Sequence, residues 1–277
     1  LRHSHRVVAL AGAIAVLLTA GCPGTVRTNP DASDKRFLLG ADYFSKGLIA
    51  PAFEELLKAV ELNPQNADAH NLLGLVYLRK AADAEELATR AQCLKGESLK
   101  LEKDDMDTQF RKAEEEFKKA VALRDNFSEA LNNLAVVALH FNRPDEAIAA
   151  GEKALANIVY REPFVAHGNL GQAYLVKRDF ARAAKSLRQA LFDQPKFCVG
   201  RYRLAKVYYE QQEYERAAEE LKEVTSDKAC PIQEAFHLAG LVALRRGERE
   251  SAAELFRRCM ALAPKSCVAR ECAAGAP

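Results

Sequence analysis

One set of spacings constrains what this chain can fold into. Gly171, Tyr174, Ala183, Leu187, Ala190 and Pro195 fall at fixed offsets, and the same offsets return at Gly40, Tyr43, Ala52, Leu56, Ala59 and Pro64. They return again at Ala205, Tyr208, Ala217, Leu221 and Val224. Small residues sit where two helices must touch, and a proline sits where the second helix must stop. The period is 34 residues from Gly40 to Gly74, from Ala113 to Ala147 and from Ala183 to Ala217, and 35 from Ala217 to Ala252. A period of that size marks stacked helix pairs, each exposing an apolar face that only the next pair can cover.

The order of small and large residues resembles the tetratricopeptide repeat over most of Ser33 to Pro264. The fold class expected is therefore all-α, a superhelical solenoid of six helix-turn-helix repeats within residues 33–266, closed by a truncated capping helix and tail at 267–277. Repeat one is expected to begin at the capping pair Ser33-Asp34. Repeat two departs from the pattern: the alanine due nine residues after Tyr77 arrives only at Ala113, an insertion of 27 residues within about 78–112. Its Ala, Glu, Leu, Lys and Arg content, and Met106, Phe110, Ala113, Phe117 and Ala120 at four-three spacing, predict helix. Two lengthened antiparallel helices, about 67–95 and 98–123, should meet near Gly96 and project roughly 20 Å beyond the solenoid.

The first residues differ in kind. Arg2, His3, His5 and Arg6 precede an unbroken apolar run from Val7 to Leu18, which at 12 residues is shorter than the roughly 20 of a spanning helix. It reads as a signal peptide over residues 1–21. The run closes on Leu18-Thr19-Ala20-Gly21-Cys22, which looks like the lipobox of bacterial lipoproteins and makes Cys22 the expected lipid attachment. Residues 22–32 then read as a lipidated linker. Pro23 and Gly24 after the cysteine, in place of an aspartate, favour the periplasmic face of the outer membrane. Removing residues 1–21 takes Arg2 and Arg6, leaving 38 basic against 38 acidic residues, so nothing asks for nucleic acid.

Six of the seven cysteines remain after Cys22: Cys93, Cys198, Cys230, Cys259, Cys267 and Cys272. An even set in an exported chain suggests disulfides, with 15 possible pairings. Cys198 and Cys230 open neighbouring first helices at one rim and form the first candidate pair. Cys259, on the last second helix, faces a tail carrying both Cys267 and Cys272.

In the tetratricopeptide family the first helix of each repeat lines a concave groove. The resemblance places Phe37, Ala41 and Phe44 there from repeat one, Asn71, Leu75 and Leu78 from two, and Asn132, Val136 and Leu139 from three. Repeats four to six add Gln172, Leu175 and Val176, then Tyr202, Lys206 and Tyr209, then His237, Leu241 and Leu244. The strip is mostly apolar, which suits an amphipathic helix or an extended peptide. Chemistry is not legible: the histidines lie in separate repeats at no metal spacing, and HExxH, GxSxG and GxxxxGK[ST] are absent. The expectation is a non-enzyme with no cofactor, no metal and no small-molecule substrate.

A lipidated, exported chain of such repeats is similar to the pilotin lipoproteins of type IV pili, the PilF, PilW and Tgl group. The long second repeat and the segments from Phe197 to Leu204 and from Cys230 to Phe236 bring it nearest the Tgl branch, from gliding bacteria. The resemblance implies a protein that binds a secretin subunit and promotes assembly of the outer-membrane pore. A general periplasmic scaffold for outer-membrane protein insertion or for peptidoglycan enzymes is the alternative. The lipobox yields a direct expectation: Cys22→Ala moves the protein out of the membrane fraction without unfolding it, and unchanged fractionation removes Cys22 from the account.

Overall fold

Small residues on the first helix of each pair set how closely the second can approach. The computed structural model describes residues 28–276, within which thirteen α-helices follow one another with no strand. The pairs are α1 (Pro30–Ser45) with α2 (Ile49–Leu62), α3 (Ala67–Glu85) with α4 (Gly96–Leu123), and α5 (Ser128–His140) with α6 (Pro144–Leu155). They continue as α7 (Pro163–Val176) with α8 (Phe180–Asp193), α9 (Cys198–Glu210) with α10 (Tyr214–Ser226), and α11 (Gln233–Arg245) with α12 (Arg249–Leu262). The short α13 (Cys267–Gly275) packs on α11 and α12.

The close approach is visible at Gly74, where an added Cβ would stand 2.5 Å from the Phe117 ring, and at Gly240, where it would stand 2.5 Å from Phe256. Gly40 meets Leu56 and Gly171 meets Leu187 in the same way. Phe117, Phe256, Leu56 and Leu187 are completely buried. The offsets that defined the repeat are thus one small-against-large contact made again in repeats one, two, four and six, at interior packing density.

The turn inside each pair has its own demand. Gly47, Asn142, Arg178, Gln212 and Gly247 all have positive φ, between 53° and 80°, at the same place in repeats one, three, four, five and six. Glycine and asparagine take that conformation readily, whereas arginine and glutamine do so at a cost of about 1–2 kcal/mol.

The expected signal peptide and lipid attachment at Cys22 lie outside the described residues. Helix α1 begins three residues earlier than Ser33-Asp34 suggested: Pro30 occupies the first turn and the Asn29 side chain accepts from the Ala32 N–H. Ser33 is instead fully buried, its hydroxyl donating to the Ala59 carbonyl at 2.8 Å. Proline at the first helical position lacks only an N–H that would be unpaired there, which is why the helix extends through it.

The insertion is helical, but it does not stand out from the solenoid. Helix α3 ends at Glu85 and loosens into a π-helical segment, Glu86–Ala91, before the chain reverses through Cys93 at φ 48° and Gly96 at φ 61°. That tip leans over the concave face. Arg90 comes within 3.8 Å of Glu234 on α11, and Cys93 is disulfide-bonded to Cys267 at the start of α13. A covalent bond to the far end of the molecule holds down what length alone would have let project.

Two further disulfides join Cys198 to Cys230 and Cys259 to Cys272. Cys267 therefore belongs to the insertion and leaves Cys272 to Cys259. The sequence had left that choice open. The histidines fall among packing residues: His70 is buried, with Nδ1 2.5 Å from Glu116 and Nε2 3.0 Å from the Pro64 carbonyl.

Gly74→Ala gains about 1 kcal/mol of helix propensity but forces a methyl into the immobile Phe117 ring, and the net result is a loss of about 1–2 kcal/mol. Gln212→Gly, in the left-handed turn, leaves the urea midpoint unchanged or higher; a lower midpoint contradicts the turn analysis. The disulfides close loops of 174, 32 and 13 residues. Chain entropy ranks their removal by paired Cys→Ser substitution at about 5, 4 and 3 kcal/mol, with the Cys93–Cys267 bond first in urea denaturation.

Candidate functional site

Roofing the concave face turns an open groove into a cleft of about 870 Å³. Its floor comes from first helices: Val136, Leu139 and His140 of α5, Asn169 and Gln172 of α7, Val199, Tyr202, Arg203 and Lys206 of α9, and Gln233 and Glu234 of α11. Glu85, Glu86 and Arg90 from the insertion, with Phe110 on α4, close the other side. Phe110 stacks flat on His140, ring centroids 3.6 Å apart, while the His140 Nε2 meets Asp107 at 2.7 Å, so α4 is seated firmly on the end of α5.

Polar side chains run along the floor in a ladder between repeats. Asn133 donates to Asn71 at 3.1 Å and Asn169 donates to Asn132 at 3.0 Å. Arg203 donates to the Gly168 carbonyl at 3.0 Å and to Asn169 Oδ1 at 3.3 Å. Among the described residues no carboxylate lies within salt-bridge distance of Arg203, so its charge is solvated by neutral oxygens. Burial draws its guanidinium down to about 10, opposed by Tyr202. Burial, and then Glu234, raise the Tyr202 phenol to about 12. Arg203 is cationic and Tyr202 neutral at pH 7.

The sequence-derived groove divides in two. Val136, Leu139, Gln172, Tyr202 and Lys206 line the cleft. Phe37 and Phe44 pack instead against Ala52, Leu56, Leu73 and Val76, and Leu75 and Leu78 pack against Phe117 and Val137 under α4. Ala41 and Asn71 are half-buried, Asn132 and Leu175 are buried, and Tyr209 packs on the core around Tyr208. The centre of the cleft thus lies over repeats three to six and not over repeats one and two, because the insertion occupies the concave side of repeat two. Sequence reasoning missed Glu85, Glu86, Arg90, Phe110, Arg203 and Glu234. The one available signal was Cys93, whose partner had to come from another repeat or from the tail.

Among the described residues no cluster of His, Cys, Asp or Glu is placed to hold a metal ion, and no helix is long and apolar enough to cross a membrane. What the arrangement offers is a recess with aliphatic, aromatic and amide groups on its floor and charges of both signs around it.

Comparison with known proteins places this architecture. Family models described as TPR repeat and Tetratricopeptide repeat match residues 40–80 and residues 108–158, 169–231 and 202–266. The type IV pilus assembly protein PilF of Pseudomonas aeruginosa is 25% identical over 214 residues, covering 75% of this chain and 73% of that protein. The crystal structure of PilW, a type IV pilus biogenesis factor, superposes with a TM-score of 0.66 at 22% identity, over 86% of this chain and 96% of that one. The structure of Pseudomonas aeruginosa PilF gives 0.65 at 22% identity, over 88% and 97%. These likenesses establish a shared solenoid fold along almost the whole length of both structures. With the repeat models spanning more than half of its residues, the chain belongs to the tetratricopeptide repeat family.

Proposed function

We propose that this chain is an outer-membrane lipoprotein pilotin that binds secretin subunits and promotes their assembly into the multimeric pore of type IV pilus biogenesis. The observation that carries the reading is the length-wide match in fold to two type IV pilus proteins, taken together with the lipobox ending at Cys22. In this reading, acyl chains on Cys22 hold the protein on the periplasmic face of the membrane. The long second repeat and the segments from Phe197 to Leu204 and from Cys230 to Phe236 support a likeness to the Tgl branch of the group. The protein acts by binding, not by catalysis.

The cleft is the proposed seat of the secretin segment. The recess of about 870 Å³ is open along one side, and its floor carries amide and charged groups beside Val136, Leu139 and Tyr202. It suits an amphipathic helix or an extended peptide whose apolar side chains alternate with polar ones. Val199, exposed at the cleft wall, and Lys206 offer contacts that can be changed without disturbing the core.

Deleting the gene and resolving unheated outer-membrane samples tests the reading. Loss of secretin multimers with monomer still present is the expected result, and normal multimers would end the pilotin assignment in favour of a general scaffold. Val199→Glu combined with Lys206→Glu should lower multimer levels at least about tenfold, the effect of losing about 1.4 kcal/mol of binding, with an unchanged thermal melt. Normal multimers in that variant alone would move the binding site out of the cleft while leaving the pilotin reading intact.

A further inference from the structure

Three large apolar side chains are more than 70% exposed among the described residues: Ile158 at 97%, Val159 at 74% and Phe192 at 81%. All three lie on one rim, where second helices end and the next first helices begin. Ile158 and Val159 tip the loop at 156–162 between α6 and α7, and Phe192 is in the last turn of α8. Contacts across neighbouring pairs make that rim continuous. The Asn157 side chain donates to the Asn126 carbonyl in the loop before it, and Phe164 meets Phe197, just after the loop that follows α8, edge to face at 5.2 Å.

The loop is not loose. Asn157 Nδ2 also donates to Ser128 Oγ at 3.0 Å, Asn157 Oδ1 accepts from the Val159 N–H, and the Tyr160 N–H returns to the Asn157 carbonyl. Tyr160 packs inward beside Leu131 and Ala154. A turn pinned this way holds two β-branched aliphatic side chains out into water, a placement that hydrophobic burial disfavours in the isolated chain.

The same rim receives the start of the described chain. The Asn29 N–H donates to the Leu62 carbonyl at the end of α2, Asn66 donates to Ser33 and Asp34, and Arg124 reaches back to Asp68. From Leu62 through Asn66, Arg124, Asn126 and Asn157, the edge passes from the chain's entrance to the Ile158 loop. Cys22 lies seven positions before Asn29, a reach of at most about 25 Å. We infer that this rim is a membrane-contacting edge, with Ile158, Val159 and Phe192 dipping into the lipid surface beside the anchor. The inference rests on the proposed acylation of Cys22, which sets the rim against a bilayer. Acyl chains fix the distance to the membrane, and the apolar edge fixes which side of the solenoid faces it.

The test uses the full acylated chain carrying Ile158→Cys or, on the opposite rim, Gln211→Cys. The native cysteines other than Cys22 are disulfide-bonded, so the new thiol takes an environment-sensitive dye selectively. Each labelled protein is reconstituted into phosphatidylethanolamine–phosphatidylglycerol vesicles. The expected result is an emission shift to shorter wavelength and a rise of at least about twofold at position 158, quenched by lipids bearing a quencher in the acyl chain, with no change at 211. Vesicle-bound protein whose position 158 emits as in buffer overturns the inference while leaving the anchor in place. A shift that arises only when secretin is added reassigns the edge to protein contact and equally overturns it. Mass spectrometry of the same sample reads the acyl chains, and an unacylated Cys22 removes the anchor and the inference with it.

Discussion

The structure depends on one contact made over and over: a glycine or alanine on a first helix with a large side chain of the second helix pressed against it. At Gly74 and Gly240 there is no room for a single carbon between the backbone and a phenylalanine ring. Close approach brings the helix pairs near enough for each to bury its apolar face on the next. The floor of the concave surface is then determined, because the first helices are spaced by their second-helix partners. Asn132, Asn169 and Arg203 can form a hydrogen-bonded ladder across three repeats only because those helices are so evenly spaced.

That contact is also what made the fold legible. The spacing of Gly40, Gly74, Ala113, Ala147 and Ala183 reports packing directly, so the number of repeats and the helical character of the insertion could be read without coordinates. The position of the insertion could not be read, because it is set by contacts between residues far apart in sequence. Nothing near Arg90 announces that Glu234 will be beside it, and Cys93 had five possible partners. Phe37, Phe44, Leu75 and Leu78 occupy groove positions by register, yet Phe37 and Phe44 are drawn into the packing of α1 on α2 and α3, and Leu75 and Leu78 are covered by α4. Register predicts the direction a side chain takes from the solenoid, and it is blind to what has folded over it.

A solenoid couples each repeat only to its neighbours, so its two ends are mechanically remote. The Cys93–Cys267 bond changes that, joining repeat two to the cap across 174 residues. The Arg90–Glu234 pair is separated by 3.8 Å and half-exposed, a geometry that contributes about 0–1 kcal/mol. The roof over the cleft is also held by a covalent bond, which persists in an oxidising compartment and not in a reducing one. A cleft held in this way suits the oxidising compartment that the proposed function assigns to the chain.

The concave cleft and the loop rim are separate surfaces of the same solenoid. Side chains of the cleft leave the first helices toward the inside of the curve, whereas Ile158, Val159 and Phe192 sit where one pair connects to the next. Occupying one surface does not obstruct the other. A chain lying with its rim on a bilayer would keep the mouth of the cleft beside the membrane and open to the periplasm. That position suits a binder whose partner must reach the membrane, because a segment held in the cleft already lies within one solenoid width of the lipid.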